Sequence, residues 1–198
     1  MRTVTSVNVN GIRAAAGKGL VRWPAGTAAD VVWLQETRAQ LEEVPPAMLV
    51  GWHVSYALCG SPRGRNGVAV LTREAPQPVR VGIGAAEFDE AGRYLEVDLP
   101  EITIANSRFL PHEREWLGGV SAAGWVDVVL SLHPGVDGAY SWWSYRSRAF
   151  DNDSGWRIDH DVATSGLAAR AVSAVVERAP SHGERWSDHP PVTVVYAS

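Results

Sequence analysis

Short runs rich in valine, isoleucine, threonine and aromatic residues recur along almost the whole chain, bounded by Gly, Pro, Asn or Asp, and this pattern constrains the fold more than any other feature. Such runs read as strands. They fall at 3–9, 31–34, 53–58, 67–72, 78–83, 94–99 and 102–105, and again at 140–145, 158–163, 172–177 and 192–196. Helical segments are fewer and short. One starts at Pro111, whose missing N–H suits a first turn; Glu113 and Glu115 follow at the positive end of the helix dipole, and Gly118-Gly119 stops it. A second is expected over 125–132, closed by Pro134-Gly135, and a third over 17–23, cut off by Pro24. Many strands without sustained β-α-β alternation imply an α+β fold, a two-sheet β-sandwich flanked by helices, rather than a doubly wound parallel sheet.

At 198 residues the chain can bury one substantial core, so a single domain over 1–198 is expected. A net charge of -4 argues against a protein held on nucleic acid by bulk charge, since that affinity comes from Lys and Arg on phosphates. A local basic face stays open. The cations are almost all arginine, with Lys18 the only lysine, which suits planar contacts to phosphate but also follows from a GC-rich coding sequence. Cys59 stands alone, so no intrachain disulfide forms and a reducing cytoplasm fits. Residues 1–7 read as a strand rather than a signal peptide, and no apolar run reaches bilayer-spanning length.

Glu36 directly follows the apolar run Val31-Val32-Trp33-Leu34-Gln35, so a buried strand delivers a carboxylate at its C-terminal end. It reads either as a ligand for a hard cation, which takes oxygen donors and keeps several waters, or as a solvated acid capping the next segment. Asn8 and Asn10 end another apolar strand and run into Gly11. They could serve a metal and a phosphate, or merely the N–H groups of an Asn-Gly turn. Asp188 and His189 stand between Ser187 and Pro190-Pro191. Adjacent side chains on an extended strand point to opposite faces, so both reach one site only in a turn, which the prolines favour. Asp159 either accepts from one ring nitrogen of His189, fixing its tautomer, or pairs with an arginine such as Arg157. On a strand, Asp161 would share the face of Asp159 and His160 would point away.

Nine tryptophans are many for this length, and most belong in the core. The run Tyr140-Ser141-Trp142-Trp143-Ser144-Tyr145-Arg146 is the exception, because adjacent tryptophans in an extended segment face opposite sides and one should be exposed. An exposed tryptophan can stack on a base or wedge into a kinked duplex. Arg63, Arg65, Arg73, Arg146, Arg148 and Arg157 lie in or beside turn-like segments, as phosphate contacts or as ordinary solvated surface.

Taken in order, Asn8-Val9-Asn10-Gly11-Ile12-Arg13-Ala14, Leu34-Gln35-Glu36-Thr37-Arg38, Gly64-Arg65-Asn66-Gly67-Val68-Ala69, Gly92-Arg93-Tyr94-Leu95-Glu96-Val97, Trp142-Trp143-Ser144-Tyr145, Gly155-Trp156-Arg157-Ile158-Asp159 and Ser187-Asp188-His189-Pro190 resemble the exodeoxyribonuclease III family. Its members are Mg²⁺-dependent DNA-repair nucleases that cut at abasic sites and degrade duplex DNA from the 3′ end. The resemblance runs along nearly the whole chain and implies a four-layer αββα, DNase I-like fold. It also implies that Glu36 is the principal ligand of Mg²⁺ or Mn²⁺, with Asp188 and Asn8 completing the site, and that His189 is the catalytic histidine, held by Asp159. Asn10 stands where relatives often place an aspartate, and is expected to bind substrate with Arg65, Trp142, Trp156 and Arg157. The two tryptophans occupy positions that line the pocket for a flipped-out abasic sugar. Double-stranded DNA, abasic or 3′-damaged, is the implied partner, with no membrane and no obligate protein partner.

Between Ala105 and Phe109 the chain departs from that pattern. Family members continue there with a loop bearing a functional tyrosine, a helix, and a central strand ending in Gly-Asp-x-Asn, whose Asp activates the attacking water and whose Asn helps bind the phosphate. An internal deletion near 105–109 is therefore expected. Loss of a general base typically costs about 10²- to 10⁴-fold in rate. Loss of a strand leaves its neighbours with unpaired edges. Asp151, Asp153 and Asp161, or a second chain, are the candidate substitutes for the base. The resemblance thus supports two readings, an active nuclease and a catalytically impaired DNA-binding remnant of the same family.

Overall fold

Alternating apolar residues in the N-terminal half dictate a sheet covered on both faces. In a computed structural model, which describes residues 1–58, 65–100, 102–107, 119, 122–136 and 139–198, six strands form that sheet. These are β1 (Arg2–Asn8), β2 (Val31–Gln35), β3 (His53–Ala57), β4 (Val68–Thr72), β10 (Ala171–Val176) and β11 (Val192–Tyr196), in the order β10-β11-β1-β2-β4-β3. β1 and β2 run parallel; every other neighbouring pair is antiparallel. Val31, Val68 and Val70 enter one core, and Val32, Leu34, Ala69 and Leu71 enter the other. This is the period-two alternation of strand side chains with both faces apolar, and it leaves β4 without an exposed position.

The first core is closed by Leu95, Val97 and Leu99 of β6 (Tyr94–Leu99) and by Val128 and Val129. The second is closed by Ile12 and Ala15 of α1 (Ile12–Gly17) and by Leu20, Met48 and Trp52 from the short helical turns that follow. β5 (Val79–Val81), β6 and β7 (Ile102–Ser107) make a three-stranded antiparallel sheet, with α3 (Ala86–Asp89) between β5 and β6; β8 (Trp125–Asp127) and β9 (Val162–Thr164) make a two-stranded ribbon. The expected layered α+β sandwich is present, and among the described residues its second layer consists of these two separate pieces. No described helix is long and apolar enough to cross a membrane.

Several local expectations need correction. Residues 125–132 are not one helix: β8 pairs with β9, and α4 (Val128–Leu132) begins only where the Asp127 carboxylate accepts the Leu130 N–H at 3.0 Å. An N-cap aspartate at that point sets the boundary. The helix expected over 17–23 is also absent. α1 ends at Gly17, and Pro24 sits in the first turn of α2 (Trp23–Gly26), where its missing N–H is harmless. The runs at 140–145 and 158–163 supply only a Trp142↔Trp156 bridge and the start of β9. Ser141 explains this, because its Oγ accepts the N–H groups of Ile158 and Asp159 that a ladder would otherwise use. The helix from Pro111, Cys59 and Arg63 lie outside the described residues, as do Arg108 and Phe109.

Candidate active site

Parallel pairing places Asn8 at the end of β1 beside Gln35 at the end of β2, so both chains leave the sheet along one edge. β11 runs antiparallel to β1 with Val192 opposite Ser6, so the segment entering it arrives at that same edge. Topology therefore brings Asn8, Asn10, Glu36, Asp188 and His189 together from distant parts of the sequence. Beyond the strand ends the backbone stays laced: Gly11 N–H donates to the Glu36 carbonyl at 2.8 Å, Ile12 to Thr37 at 2.9 Å, and Arg38 to Asn66 at 2.8 Å.

This lacing forces unusual backbone. Asn10, Glu36, Arg38 and Asn66 have φ of 47°, 52°, 50° and 56°. Positive φ is uncommon outside glycine, and such strain concentrates where structure serves function. Gly67 supplies the one conformation no other residue can take here, since at φ 88° a Cβ would lie 2.5 Å from Thr37 Oγ1.

The side chains form a continuous relay. Asn8 Nδ2 donates to Glu36 Oε1 at 2.7 Å, and Asn8 Oδ1 accepts the Asn10 N–H at 2.9 Å. Asn10 Nδ2 donates to Asp188 Oδ1 at 2.8 Å, and the indole N–H of Trp142 donates to Asp188 Oδ2 at 3.0 Å. Glu36 is buried, and its Oε2 pairs with the Arg38 guanidinium. Ser187 Oγ donates to the Asn8 carbonyl at 2.7 Å, pinning the turn that bears Asp188 to the end of β1.

His189 is buried, and its Nδ1 lies 2.8 Å from Asp159 Oδ2. Burial alone would lower its pKa. The Asp159 charge and hydrogen bond, with Asp188 and Glu36 acting at longer range, overcome that and hold it above the ordinary imidazole value. The histidine therefore carries its proton to higher pH than a free imidazole. Ser141, accepting the Asp159 N–H at 2.9 Å, sets the position of this carboxylate. Of the two readings of Asp159, the structure selects the one that orients His189.

Trp142 and Trp156 are joined by reciprocal backbone hydrogen bonds of 2.9 Å, with ring centroids 6.0 Å apart at an edge-on 67°. Of the adjacent tryptophans expected to split, Trp143 is buried and Trp142 only half-buried, so neither faces outward freely; the exposed ring is Trp156, at 60%, packed edge-on against Trp142. Arg157 is not brought into the relay: its Nη1 donates to Asp127 Oδ2 at 2.6 Å, and Asp127 also meets His160 Nδ1 at 2.9 Å. Burial raises the Asp127 pKa, but these two partners and the Leu130 N–H bring it down to about 2, so it stays ionised beside them. Arg65 is exposed on the turn before Gly67 and is not drawn into the relay.

Asp161, expected on the face of Asp159, is instead fully buried, and burial together with Asp127 and Asp159 pushes its pKa up to about 7. Asp153 accepts from Trp143 Nε1 and pairs with Arg178, and Asp151 pairs with Arg148. None of the three candidate substitutes for a general base stands in the relay. Sequence reasoning passed over Arg38, Ser141 and Ser187. The first follows a candidate ligand by two residues, a discoverable signal; the serines announce themselves only once the turns are folded.

A layered α+β sandwich with its polar cluster at one sheet edge is the DNase I-like architecture. The structure is similar to that of the 3′-5′ exonuclease NExo from Neisseria meningitidis, with a TM-score of 0.85, 21% identity, and 98% of this chain and 99% of that chain covered. The chain belongs to the Endonuclease/Exonuclease/phosphatase family, whose pattern matches residues 5–189. By sequence it is similar to an exodeoxyribonuclease of Bacillus subtilis, 29% identical with 96% of this chain and 97% of that protein covered. It is also similar to the DNA repair nuclease APEX1 of Danio rerio, 26% identical with 98% and 82% covered.

Proposed function

We propose that this protein is a Mg²⁺-dependent DNA-repair nuclease that hydrolyses phosphodiester bonds of double-stranded DNA at abasic or 3′-damaged sites, working as a 3′-5′ exodeoxyribonuclease and abasic-site endonuclease. The observation that carries this reading is the relay from Glu36 through Asn8 and Asn10 to Asp188 and Trp142, which ties a carboxylate pair to the Trp142–Trp156 ring pair. Among the described residues no three His, Cys, Asp or Glu side chains cluster as a metal cage. Two carboxylates and the Asn8 amide oxygen are nevertheless all hard oxygen donors, which suits a Mg²⁺ or Mn²⁺ ion that keeps several waters. Arg38, itself a cation on Glu36, has to turn aside for such an ion.

Glu36, Asp188 and Asn8 would hold such an ion, which would supply Lewis acidity toward the scissile phosphate. His189, whose proton is favoured by the neighbouring Asp159 carboxylate, can donate from its ring to the negative charge that develops on the phosphate. Trp142 and Trp156 offer an apolar wall to a sugar without a base, and Trp156 has the exposure to stack on the neighbouring duplex.

A second reading, a catalytically impaired DNA-binding remnant, is favoured by one observation. The alignment with the Bacillus subtilis exodeoxyribonuclease runs over 254 positions, more than the 198 residues of this chain, so parts of that relative stand opposite nothing here. This supports an internal deletion, which we place near 105–109 within a single cytoplasmic domain. Incision of a duplex carrying an abasic analogue, with Mg²⁺ and with chelator, separates the readings. Metal-dependent cutting selects the nuclease; retention without cutting selects the remnant; neither binding nor cutting rejects both.

A further inference from the structure

Among the described residues, Arg185 is the one arginine that is buried, at 6% exposure, and it lies three residues before Asp188 of the relay. Its Nη1 donates to the Trp143 carbonyl at 2.9 Å, while Nε and Nη2 are buried without a partner. Buried donors left unpaired are costly, so something must hold this side chain in place. Two rings do. The guanidinium carbon lies 4.7 Å from the Tyr145 centroid and 4.5 Å from the Phe150 centroid, within the range of cation–π attraction. Burial lowers its pKa, yet an arginine keeps its charge.

What this arrangement holds is the approach of two turns. Arg185 sits three residues before Asp188 and grips the carbonyl of Trp143. The N–H of that same Trp143 donates to the Asp188 carbonyl at 3.1 Å, and the neighbouring Trp142 indole donates to the Asp188 carboxylate. The two turns are thus clamped on both sides of residue 143. We propose that Arg185 is a positioning residue: by anchoring the Trp143 backbone it fixes the Trp142 indole on Asp188, and so sets the geometry between the carboxylate and the Trp142–Trp156 ring pair. Its consequence for DNA rests on the nuclease reading; its consequence for the Trp142 hydrogen bond does not.

Arg178 provides a matched control. It stacks on the same Phe150 at 4.3 Å and on the Trp143 ring at 5.0 Å, but it hydrogen-bonds the Phe150 carbonyl and pairs with Asp153, so its contacts reach the Trp143 ring and not the Trp143 carbonyl that Arg185 holds. The test is hydrogen exchange of the Trp142 indole N–H, followed by ¹H–¹⁵N NMR in the absence of DNA and metal, its resonance assigned with Trp142→Phe. Arg185→Met should speed that exchange at least about tenfold, the scale of one lost hydrogen bond, while Arg178→Met leaves it within about twofold. Arg185→Lys, which keeps a donor for the Trp143 carbonyl, should restore slow exchange, and serves as the reporter if the methionine variant fails to fold. Equal effects of the two methionine variants, or a lysine variant as fast as a denatured control, would overturn the proposal. In a second arm, affinity for an abasic-analogue duplex in chelator should fall about tenfold for Arg185→Met only. If the wild-type protein neither retains that duplex in chelator nor cuts it with Mg²⁺, the nuclease reading fails and the indole measurement still decides the role of Arg185.

Discussion

Asp161 offers the sharpest quantitative prediction. Its carboxyl is fully buried, accompanied by Asp127 and Asp159, and its pKa rises from 3.8 to about 7. A carboxyl whose folded pKa lies above its unfolded one binds more protons in the native state, so between those two values stability falls as pH rises. The loss begins near pH 4 and is complete above pH 7. A shift of about three units at 1.36 kcal/mol each corresponds to at most about 4 kcal/mol. Asp161→Asn keeps the shape and removes the titration. Urea melts of both proteins at pH 4.5, 6 and 8 should show the variant gaining on the wild type as pH rises, from little difference to about 2–4 kcal/mol at pH 8. Parallel pH profiles would refute the reasoning, because they would mean that Asp161 stays ionised in the fold.

Other consequences concern the site. Asp159→Asn removes the charge that outweighs burial at His189, so an NMR titration of that ring should show a pKa below the wild-type value, and incision should fall by about 10²-fold or more. An unchanged titration would exclude the pair as the cause. Gly155→Ala places a methyl 2.7 Å from Trp143 Nε1 and from Tyr140 Cβ, which should cost about 1–3 kcal/mol in a denaturant melt. Trp156→Ala should weaken binding of an abasic-analogue duplex by about 1–3 kcal/mol in fluorescence anisotropy while leaving the thermal midpoint nearly unchanged, since the ring is mostly exposed.

Much of the architecture was legible because burial imposes a period. Val31, Val32 and Leu34 announce a strand covered on both faces, and the alternation of Val68, Ala69, Val70 and Leu71 between two cores gives that reading its structural form. Short elements were harder. Whether residues 125–132 begin as strand or helix depends on one capping carboxylate, Asp127, and on the distant partner β9. In the site, Glu36, Asp188 and His189 stood out because carboxylates and imidazoles at strand mouths are chemically unusual. Arg157 was harder to place for the converse reason. Its charge suits a phosphate, but in the fold it meets Asp127, thirty residues away in sequence, together with the nearby His160. Asp161 shows the same limit, since period-two reasoning gave it a face beside the partly exposed Asp159 without revealing that Asp161 itself is buried.

Anomalous diffraction from a crystal soaked in Mn²⁺ tests the central proposal most directly. The account predicts one dominant peak bridged by the Glu36 and Asp188 carboxylates, with the Arg38 guanidinium withdrawn from Glu36 and the peak lost in Glu36→Gln. A peak bound elsewhere, or persistence of the Arg38 pair at saturating Mn²⁺, would contradict it.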